Sequence, residues 1–210
     1  MFRRQIEILT KEKQKKLEEK SILIIGAGGL GNVIISEMSC IGLKKIYIMD
    51  FDKIEIHNIH RQFNFNKNDI GKLKSEIIAK KMKRCNTEII PINKKFNDFN
   101  KKIDLIIDCS DNFEVRKKID IFAKKNNLCW LYGSVENWRG QICLFEKKDL
   151  SIFKADKNHK IDGVIPGMVG IVGSIQATIA TKYLAELEIE TDKLIYIEFT
   201  NELKLMKFNL

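Results

Sequence analysis

The chain has 210 residues, of which 44% are hydrophobic and 31% are charged, and its formal net charge is +9 at pH 7. These are values of a globular protein, and no apolar run approaches the roughly 18 residues of a membrane-crossing helix, so no membrane partner is expected. The basic residues are spread along the whole chain without interleaved aromatic residues, which argues against nucleic acid as the main partner. The start, MFRRQIEILTKEKQ, lacks the apolar core of a signal peptide, and we therefore expect a cytoplasmic protein.

The hydrophobic pattern alternates between the periods of strands and helices. Residues 4–20 are polar with few apolar positions and predict a marginal helix or arm. Strands are predicted at 21–25, 45–50, 88–93, 103–110, 129–132 and 140–145, and helices at about 31–42, 72–84 and 113–126. This alternation predicts an α/β fold with a Rossmann-like, doubly wound and mostly parallel sheet.

The last third of the chain departs from this alternation. Residues 151–162, SIFKADKNHKID, are a predicted polar loop, and a glycine-punctuated turn then leads into a helix within 163–187. Two alternating segments, Leu194–Phe199 and Leu203–Phe208, are separated by Asn201–Glu202. They predict a terminal hairpin, and so a C-terminal antiparallel extension of the sheet.

The five cysteines show no recognisable spacing. Cys40, Cys85, Cys109, Cys129 and Cys143 are odd in number and widely spaced, and no C-x-x-C pair is present. The spacing predicts neither a disulfide framework nor a zinc site. We therefore expect five small buried side chains in a reducing compartment.

A glycine turn follows the first predicted strand. The stretch SILIIGAGGLGN, residues 21–32, has the G-x-G-x-x-G spacing at Gly26, Gly28 and Gly31. Glycines let backbone N–H groups approach phosphate oxygens, and the start of a helix favours negative charge. The turn therefore predicts phosphate binding, which is compatible with dehydrogenases, methyltransferases and nucleotide-activating enzymes.

Polar residues after the second strand favour a nucleoside triphosphate. Asp50 ends that strand, where an acidic group can meet ribose hydroxyls, as in NAD sites. Asn58, Arg61 and Gln62 follow in the next loop, and Lys74 comes at the start of the next helix. Guanidinium and ammonium groups aimed at one phosphate loop suggest a triphosphate rather than a pyrophosphate bridge.

The stretch DCSDN, Asp108–Asn112, completes the predicted site. It ends a buried strand and brings Asp111 to the carboxyl end of the sheet, where open α/β folds bind ligands. A carboxylate beside phosphates is a natural ligand of Mg²⁺. The set predicts an adenylation site in which Mg²⁺, Lys74 and Arg61 neutralise the departing pyrophosphate while a carboxylate attacks the α-phosphorus.

With these motifs the sequence resembles the ThiF/MoeB/HesA family, the bacterial relatives of ubiquitin-activating enzymes. Seven motifs occur in order: R-Q-I at 4–6, GAGGLG, DFDKIEIHNIHRQF, DIGKLKSE, DCSDNFEVR, GSVENWRGQICLF and GVIPGMVGIVGSIQA. The resemblance implies a single adenylation domain over residues 1–210. Its parts would be a helical arm at 1–20, a nucleotide-binding Rossmann part at 21–145, and a crossover loop, helix and hairpin at 146–210.

The resemblance also implies an activity. Family members use ATP and Mg²⁺ to adenylate the C-terminal Gly-Gly carboxylate of a ubiquitin-like sulfur carrier of ThiS or MoaD type. They release pyrophosphate, serve thiamin or molybdopterin biosynthesis, and work as homodimers. Residues implied to contact the nucleotide are Gly26, Gly28, Gly29, Gly31, Asp50, Asp52, Asn58, Arg61, Gln62, Lys74, Ser110, Asp111 and Asn112. Asp50 would hold the ribose and Asp111 would bind Mg²⁺.

Four residues would have catalytic roles by the same resemblance: Arg61, Lys74, Asp111 and Arg4. Arg4 matches an arginine that family members extend into the ATP site of the partner subunit. From the sequence alone, Arg3 and Arg4 would be interpreted as solvated charges.

The sequence also departs from the family pattern. Many members hold zinc with two C-x-x-C pairs, and sulfur-mobilising members have a cysteine just before the stretch that matches GVIPGMVG. Here no cysteine follows Cys143, so zinc is not expected, and a role of Cys109 or Cys129 in sulfur transfer stays open. The type of carrier, or a peptide substrate with another terminal residue, also stays open. The alternatives are an NAD(P)-binding Rossmann oxidoreductase, which would leave Arg61 and Lys74 unexplained, and a non-catalytic scaffold that binds a carrier.

Overall fold

The computed structural model describes residues 1–153 and 163–210, so most of the loop predicted at 151–162 lies outside the described residues. The helices are α1 (Arg3–Leu17), α2 (Gly29–Met38), α3 (Lys74–Lys81), α4 (Phe113–Lys125) and α5 (Pro166–Leu184). The strands are β1 (Ser21–Ile25), β2 (Lys45–Met49), β3 (Glu88–Ile92), β4 (Leu105–Asp108), β5 (Trp130–Glu136), β6 (Arg139–Phe145), β7 (Lys193–Phe199) and β8 (Leu203–Asn209). None of the helices in these ranges is long and apolar enough to cross a membrane.

All eight strands form one sheet in the order β3-β2-β1-β4-β5-β6-β7-β8. The first five strands of this order are parallel, and β5 to β8 continue as antiparallel neighbours. Every residue of β1 is buried, as expected for a parallel strand with helices on both faces of the sheet. The predicted fold class, including the antiparallel extension, is confirmed.

The core lies in two layers, one on each face of the sheet. Alternate residues of β1 point to opposite faces, so Ile22 and Ile24 join one layer and Leu23 and Ile25 join the other. The first layer contains side chains of α2, α3 and α5, and the second contains those of α4. The carboxyl ends of β1, β2 and β4 lead into loops, and most of the predicted site residues lie in these loops or at the starts of α2 and α3.

The N-terminal helix α1 is the marginal element that the sequence predicts. Its backbone is interrupted at Thr10, where φ is 70° and ψ is 159°. Leu9 and Leu17 are buried, and Gln5 Nε2 donates a hydrogen bond of 2.8 Å to the carbonyl oxygen of Ile41. The first half of α1 is therefore held against the turn that follows α2.

The expectation for the cysteines is wrong for two of the five. Cys40, just after α2, and Cys85, after α3, form a disulfide with a Cα–Cα distance of 5.3 Å. The pairing depends on how the ends of the two helices pack together, which spacing in the sequence does not reveal. Cys109, Cys129 and Cys143 are buried free thiols, as predicted, and burial raises the pKa of Cys143 to about 12.

Candidate nucleotide-binding site

The glycine turn, Gly26–Gly31, joins β1 to α2 and includes the first residues of α2. Two of its glycines are required by the backbone around them. Gly26 has φ +98°, and a Cβ atom there would lie 2.6 Å from the carbonyl oxygen of Cys109. A Cβ atom on Gly31 would lie 2.2 Å from the carbonyl oxygen of Gly26. Both distances are far shorter than van der Waals contact. The absence of a side chain therefore lets Gly26 pack against the backbone that follows β4, and lets Gly31 pack against Gly26.

The other two glycines of the turn have more open surroundings. The nearest atom to a Cβ on Gly28 would be Gln62 Nε2 at 3.8 Å, while a Cβ on Gly29 would lie 3.1 Å from Val169 of α5 and 3.8 Å from Arg61 Cγ. No side chain caps the start of α2, whose first residue is Gly29. The start of this helix therefore offers backbone N–H groups to an anion, beside Arg61 and Gln62.

Asp50 connects the glycine turn to the loop after β2. Its side chain is buried, and its two carboxylate oxygens accept hydrogen bonds from the backbone N–H groups of Ala27 at 2.6 Å and Asp52 at 2.7 Å. Burial raises the pKa of Asp50, and these two backbone donors act in the opposite direction. Each oxygen has a further lone pair, with which it could accept a hydrogen bond from a ribose hydroxyl.

Lys74 brings a buried cation to the same loop. It is the first residue of α3 and only 7% exposed, and its Nζ donates to Asp52 Oδ2 at 2.9 Å. Hydrogen bonds therefore run from the glycine turn through Asp50 and Asp52 to this ammonium group.

Three further predicted residues of the loop after β2, Asn58, Arg61 and Gln62, have different surroundings. Asn58 is buried, and its Oδ1 accepts a hydrogen bond of 3.0 Å from the backbone N–H of Glu55, so it helps to shape the loop. Arg61 donates from Nη1 to the carbonyl oxygen of His57 at 2.9 Å. Gln62 is 2% exposed, and its Oε1 has no hydrogen-bond partner among the described residues. A buried amide oxygen of this kind is satisfied by a ligand or water that donates a hydrogen bond.

Most polar side chains of the DCSDN stretch make hydrogen bonds within the protein, and the side chain of Asp111 is exposed. Asp108 Oδ1 accepts from the backbone N–H and the hydroxyl of Ser110, at 2.9 and 2.6 Å. Asn112 caps α4 by accepting from two backbone N–H groups of its first turn. Asp111 lies between them and is exposed. The backbone N of Ser110 would be 3.2 Å from a Cβ on Gly26, so Asp111 follows directly where β4 meets the glycine turn.

Two polar residues beneath this stretch, the mostly buried Arg116 and the fully buried Gln176, were not singled out from the sequence. Arg116 Nε lies 3.0 Å from Asp108 Oδ2, and Gln176 Nε2 of α5 donates to the backbone oxygen of Asp108 at 3.2 Å. Burial raises the pKa of Asp108, and the neighbouring guanidinium opposes this effect. Arg116 stands in the second turn of the helix that Asn112 caps, and Gln176 is an isolated amide in the apolar α5. In the sequence, only these positions indicated that Arg116 and Gln176 make buried contacts.

Arg4 is not brought to the site of its own chain. It is exposed on α1, next to Gln5, which is bound to the carbonyl oxygen of Ile41 beyond the end of α2. A helix of 10 residues is about 15 Å long, so Arg4 and Gly29 lie near opposite ends of α2.

The site residues fit Mg²⁺ only in the form in which a nucleotide supplies most ligands. No three His, Cys, Asp or Glu side chains cluster as a metal site within residues 1–153 and 163–210. At nucleotide sites Mg²⁺ takes one or two carboxylates and completes its coordination with phosphate oxygens and water. One exposed carboxylate beside the glycine turn, as at Asp111, matches that requirement.

Known proteins with curated functions resemble this chain over most of its length. A probable molybdopterin-synthase adenylyltransferase from Porphyra purpurea is 33% identical over an alignment of 193 residues, and the match covers 82% of this chain and 50% of that protein. The molybdopterin-synthase adenylyltransferase of Escherichia coli K12 is 30% identical over an alignment of 190 residues, which covers 82% of this chain and 76% of that protein. The sulfur carrier protein ThiS adenylyltransferase of the same organism is 25% identical over an alignment of 201 residues, which covers 86% of this chain and 78% of that protein. The chain spans about half the length of the first curated relatives it matches.

Solved structures share the fold. E. coli MccB with ATP superimposes with a TM-score of 0.81 at 20% identity, over 94% of this chain and 65% of MccB. The model of the ThiF family matches residues 2–209. Since this match covers nearly every residue, the chain belongs to the ThiF family.

Proposed function

We propose that this protein is an ATP-dependent adenylyltransferase. It would activate the C-terminal Gly-Gly carboxylate of a ubiquitin-like sulfur carrier of ThiS or MoaD type as an acyl-adenylate and release pyrophosphate. The observation that carries the proposal is the glycine turn, in which a Cβ on Gly28 would lie 3.8 Å from Gln62 and a Cβ on Gly29 would lie 3.8 Å from Arg61. Hydrogen bonds through Asp50 and Asp52 link this turn to the buried Lys74. The relatives named adenylyltransferases support it.

The side chains around the turn suit the transfer of an adenylyl group. The backbone N–H groups at the start of α2 would donate hydrogen bonds to phosphate oxygens, and the Asp50 carboxylate would accept hydrogen bonds from the ribose hydroxyls. When the carrier carboxylate attacks the α-phosphorus, the bond to the bridging oxygen breaks and charge accumulates on pyrophosphate. Arg61 and Lys74 would stabilise that charge. Asp111 would hold Mg²⁺, which when bound lowers the charge on the triphosphate.

ATP–pyrophosphate exchange tests the proposal. The chain is incubated with ATP, MgCl₂, labelled pyrophosphate and a purified carrier of ThiS or MoaD type, and label entering ATP is measured. We expect exchange only with carriers that expose a free C-terminal Gly-Gly, because their carboxylate must attack the α-phosphorus. Asp111→Ala should abolish exchange while the protein stays folded.

Three controls make this test specific. A carrier without its last two glycines should give no exchange, and unchanged exchange with it would contradict the proposal. Binding of NAD(H) but not ATP would favour an oxidoreductase. Carrier binding without exchange would favour a scaffold. The carrier type that supports exchange would distinguish thiamin from molybdopterin biosynthesis.

We also propose that the active form is a homodimer in which Arg4 serves the site of the partner subunit. The anchoring of α1 beyond the end of α2 supports this, since Arg4 lies far from the glycine turn of its own chain. Chains with Arg4→Ala or Asp111→Ala should each be nearly inactive. After random subunit exchange about half of the dimers are mixed, each with one intact site, so roughly a quarter of wild-type activity should return.

The neighbouring Arg3 provides the matched control for this experiment. Its guanidinium is exposed and lies 4.0 Å from Glu7 of the same helix, so Arg3→Ala should keep nearly full activity. A mixture that exchanges subunits but stays inactive would show that Arg4 does not act in the partner's site.

A further inference from the structure

A buried ion pair lies directly beneath the stretch that presents Asp111. The Asp108 side chain is fully buried, and the Arg116 side chain is 12% exposed, with 3.0 Å between Arg116 Nε and Asp108 Oδ2. The guanidinium lies over the ring of Tyr132, with its central carbon 5.0 Å from the ring centre. The pair therefore has little contact with solvent, and it lies at the end of β4.

The pair holds the backbone of Ser110 from two sides. Arg116 Nη2 donates to the carbonyl oxygen of Ser110 at 2.7 Å and to that of Gly133 in β5 at 3.2 Å. Asp108 Oδ1 accepts from both the N–H and the hydroxyl of Ser110. The residue immediately before Asp111 is thus fixed by side chains of β4 and α4, and is tied to β5.

The stability of the fold alone does not account for a charged pair at this position. A buried ion pair is often no more stabilising than apolar side chains of similar volume, because both ions lose their hydration. What the guanidinium adds is a fixed planar arrangement of donors, which contacts Asp108, Ser110 and Gly133 together. The charged pair therefore fixes a geometry, and that geometry is the exit of the chain toward Asp111.

We propose that Arg116 is a positioning residue for nucleotide binding, which holds the turn after β4 so that Asp111 meets the Mg²⁺ that accompanies the triphosphate. This role rests on the nucleotide site of the proposed function but does not depend on which carrier is activated. Groups that orient a metal ligand in this way commonly change metal affinity by about 10- to 100-fold when removed.

Isothermal titration calorimetry of ATP without any carrier tests the proposal. The dissociation constant is measured in EDTA and in MgCl₂, and the ratio of the two gives the Mg²⁺-dependent gain in ATP affinity. In Arg116→Met we expect this ratio to be about tenfold smaller than in the wild type, and so closer to one. The dissociation constant measured in EDTA should change less than about twofold. Asp111→Asn should lose the gain in the same way. The double variant should lose no more than either single variant, because Arg116 acts through Asp111.

Two further variants separate positioning from a loss of folding. Ile119→Ala removes a fully buried side chain of α4 and should lower Tm without changing the gain. Arg116→Lys can keep the ion pair with Asp108 but not all three contacts, so it should show an intermediate gain, and it replaces Arg116→Met if that variant does not fold.

Several outcomes would overturn the role of Arg116. One is a folded Arg116 variant that keeps the full Mg²⁺-dependent gain in ATP affinity, and another is a variant that loses equal affinity in EDTA and in MgCl₂. The others are a double variant that loses more of the gain than either single variant, and a wild-type protein whose ATP affinity does not depend on Mg²⁺. If the gain behaves as expected and no carrier supports exchange, the proposed carrier activation is wrong and the role of Arg116 stands.

Discussion

One added methyl group should have different effects at two glycines of the stretch Gly26–Gly31, namely Gly28 and Gly31. In Gly31→Ala the new Cβ would lie 2.2 Å from the carbonyl oxygen and 3.0 Å from the carbonyl carbon of Gly26. These are backbone atoms that cannot rotate away, so we expect a loss of about 3 kcal/mol in the free energy of unfolding. In Gly28→Ala the nearest atom, Gln62 Nε2, is 3.8 Å away. We therefore expect a change of less than about 1 kcal/mol there.

ATP affinity should respond to the same change at Gly28. A methyl group at Gly28 occupies space through which a phosphate would approach the backbone N–H groups of α2, and we expect at least about tenfold weaker ATP binding, or 1.4 kcal/mol. Urea unfolding measures the stability of each variant, and calorimetry measures ATP binding under conditions where Gly28→Ala is folded.

Either half of this prediction can fail independently. If Gly28→Ala binds ATP with the same affinity as the wild type, the phosphates do not occupy the space that a methyl group at Gly28 would fill. If Gly31→Ala unfolds at the same urea concentration as the wild type, the close approach of Gly31 to Gly26 does not prevent a side chain at position 31.

Three further measurements test other features of the structure. Reduction of the Cys40–Cys85 disulfide, whose residues are 45 positions apart, should lower the free energy of unfolding by about 4 kcal/mol. Dithiothreitol should destabilise the wild type but not a variant with both cysteines changed to serine, and equal stability of the wild type with and without it would contradict the pairing. Hydrogen bonds from Lys124 and Ser151 lower the pKa of Asp149 from 3.8 to about 2, so their stabilising effect is present above pH 4 and is lost as the pH falls toward 2. Asp149→Asn should flatten the decrease of Tm in that range, and identical profiles would refute this role. Metal analysis should find far less than one zinc per chain.

Elements were predictable from sequence where the local pattern and the tertiary environment agree. The strand Ser21–Ile25 has the same bounds in the prediction and in the structure, because its apolar run ends at a glycine turn. For β5, residues 129–132 were predicted and Trp130–Glu136 are observed. The second half of that strand is less apolar and is held by antiparallel pairing with β6. Its length therefore depends on a neighbouring strand that a local pattern does not describe.

Residues that act through tertiary contacts could not be predicted in the same way. The contacts of Arg116 with Asp108 in β4 and Gly133 in β5, and the pairing of Cys40 with Cys85, depend on how helices pack against the sheet and against each other. The glycine spacing and the cations after β2 were visible because they are local in the sequence. The roles assigned to those residues stay predictions until variants are measured.

The stretch Asp108–Asn112 shows how to choose variants at this site. A side chain that the fold already uses gives an ambiguous result when it is replaced, because stability and ligand binding change together. Asp108 is paired with Arg116, and Asn112 caps α4, so replacing either one should lower stability. Asp111 is exposed between them, and its replacement should therefore change binding without a comparable loss of stability. A comparison of Tm and ATP affinity across Asp108→Asn, Asp111→Asn and Asn112→Ala separates the two effects within five residues. If Asp111→Asn proved the least stable of the three, this division of roles would be wrong.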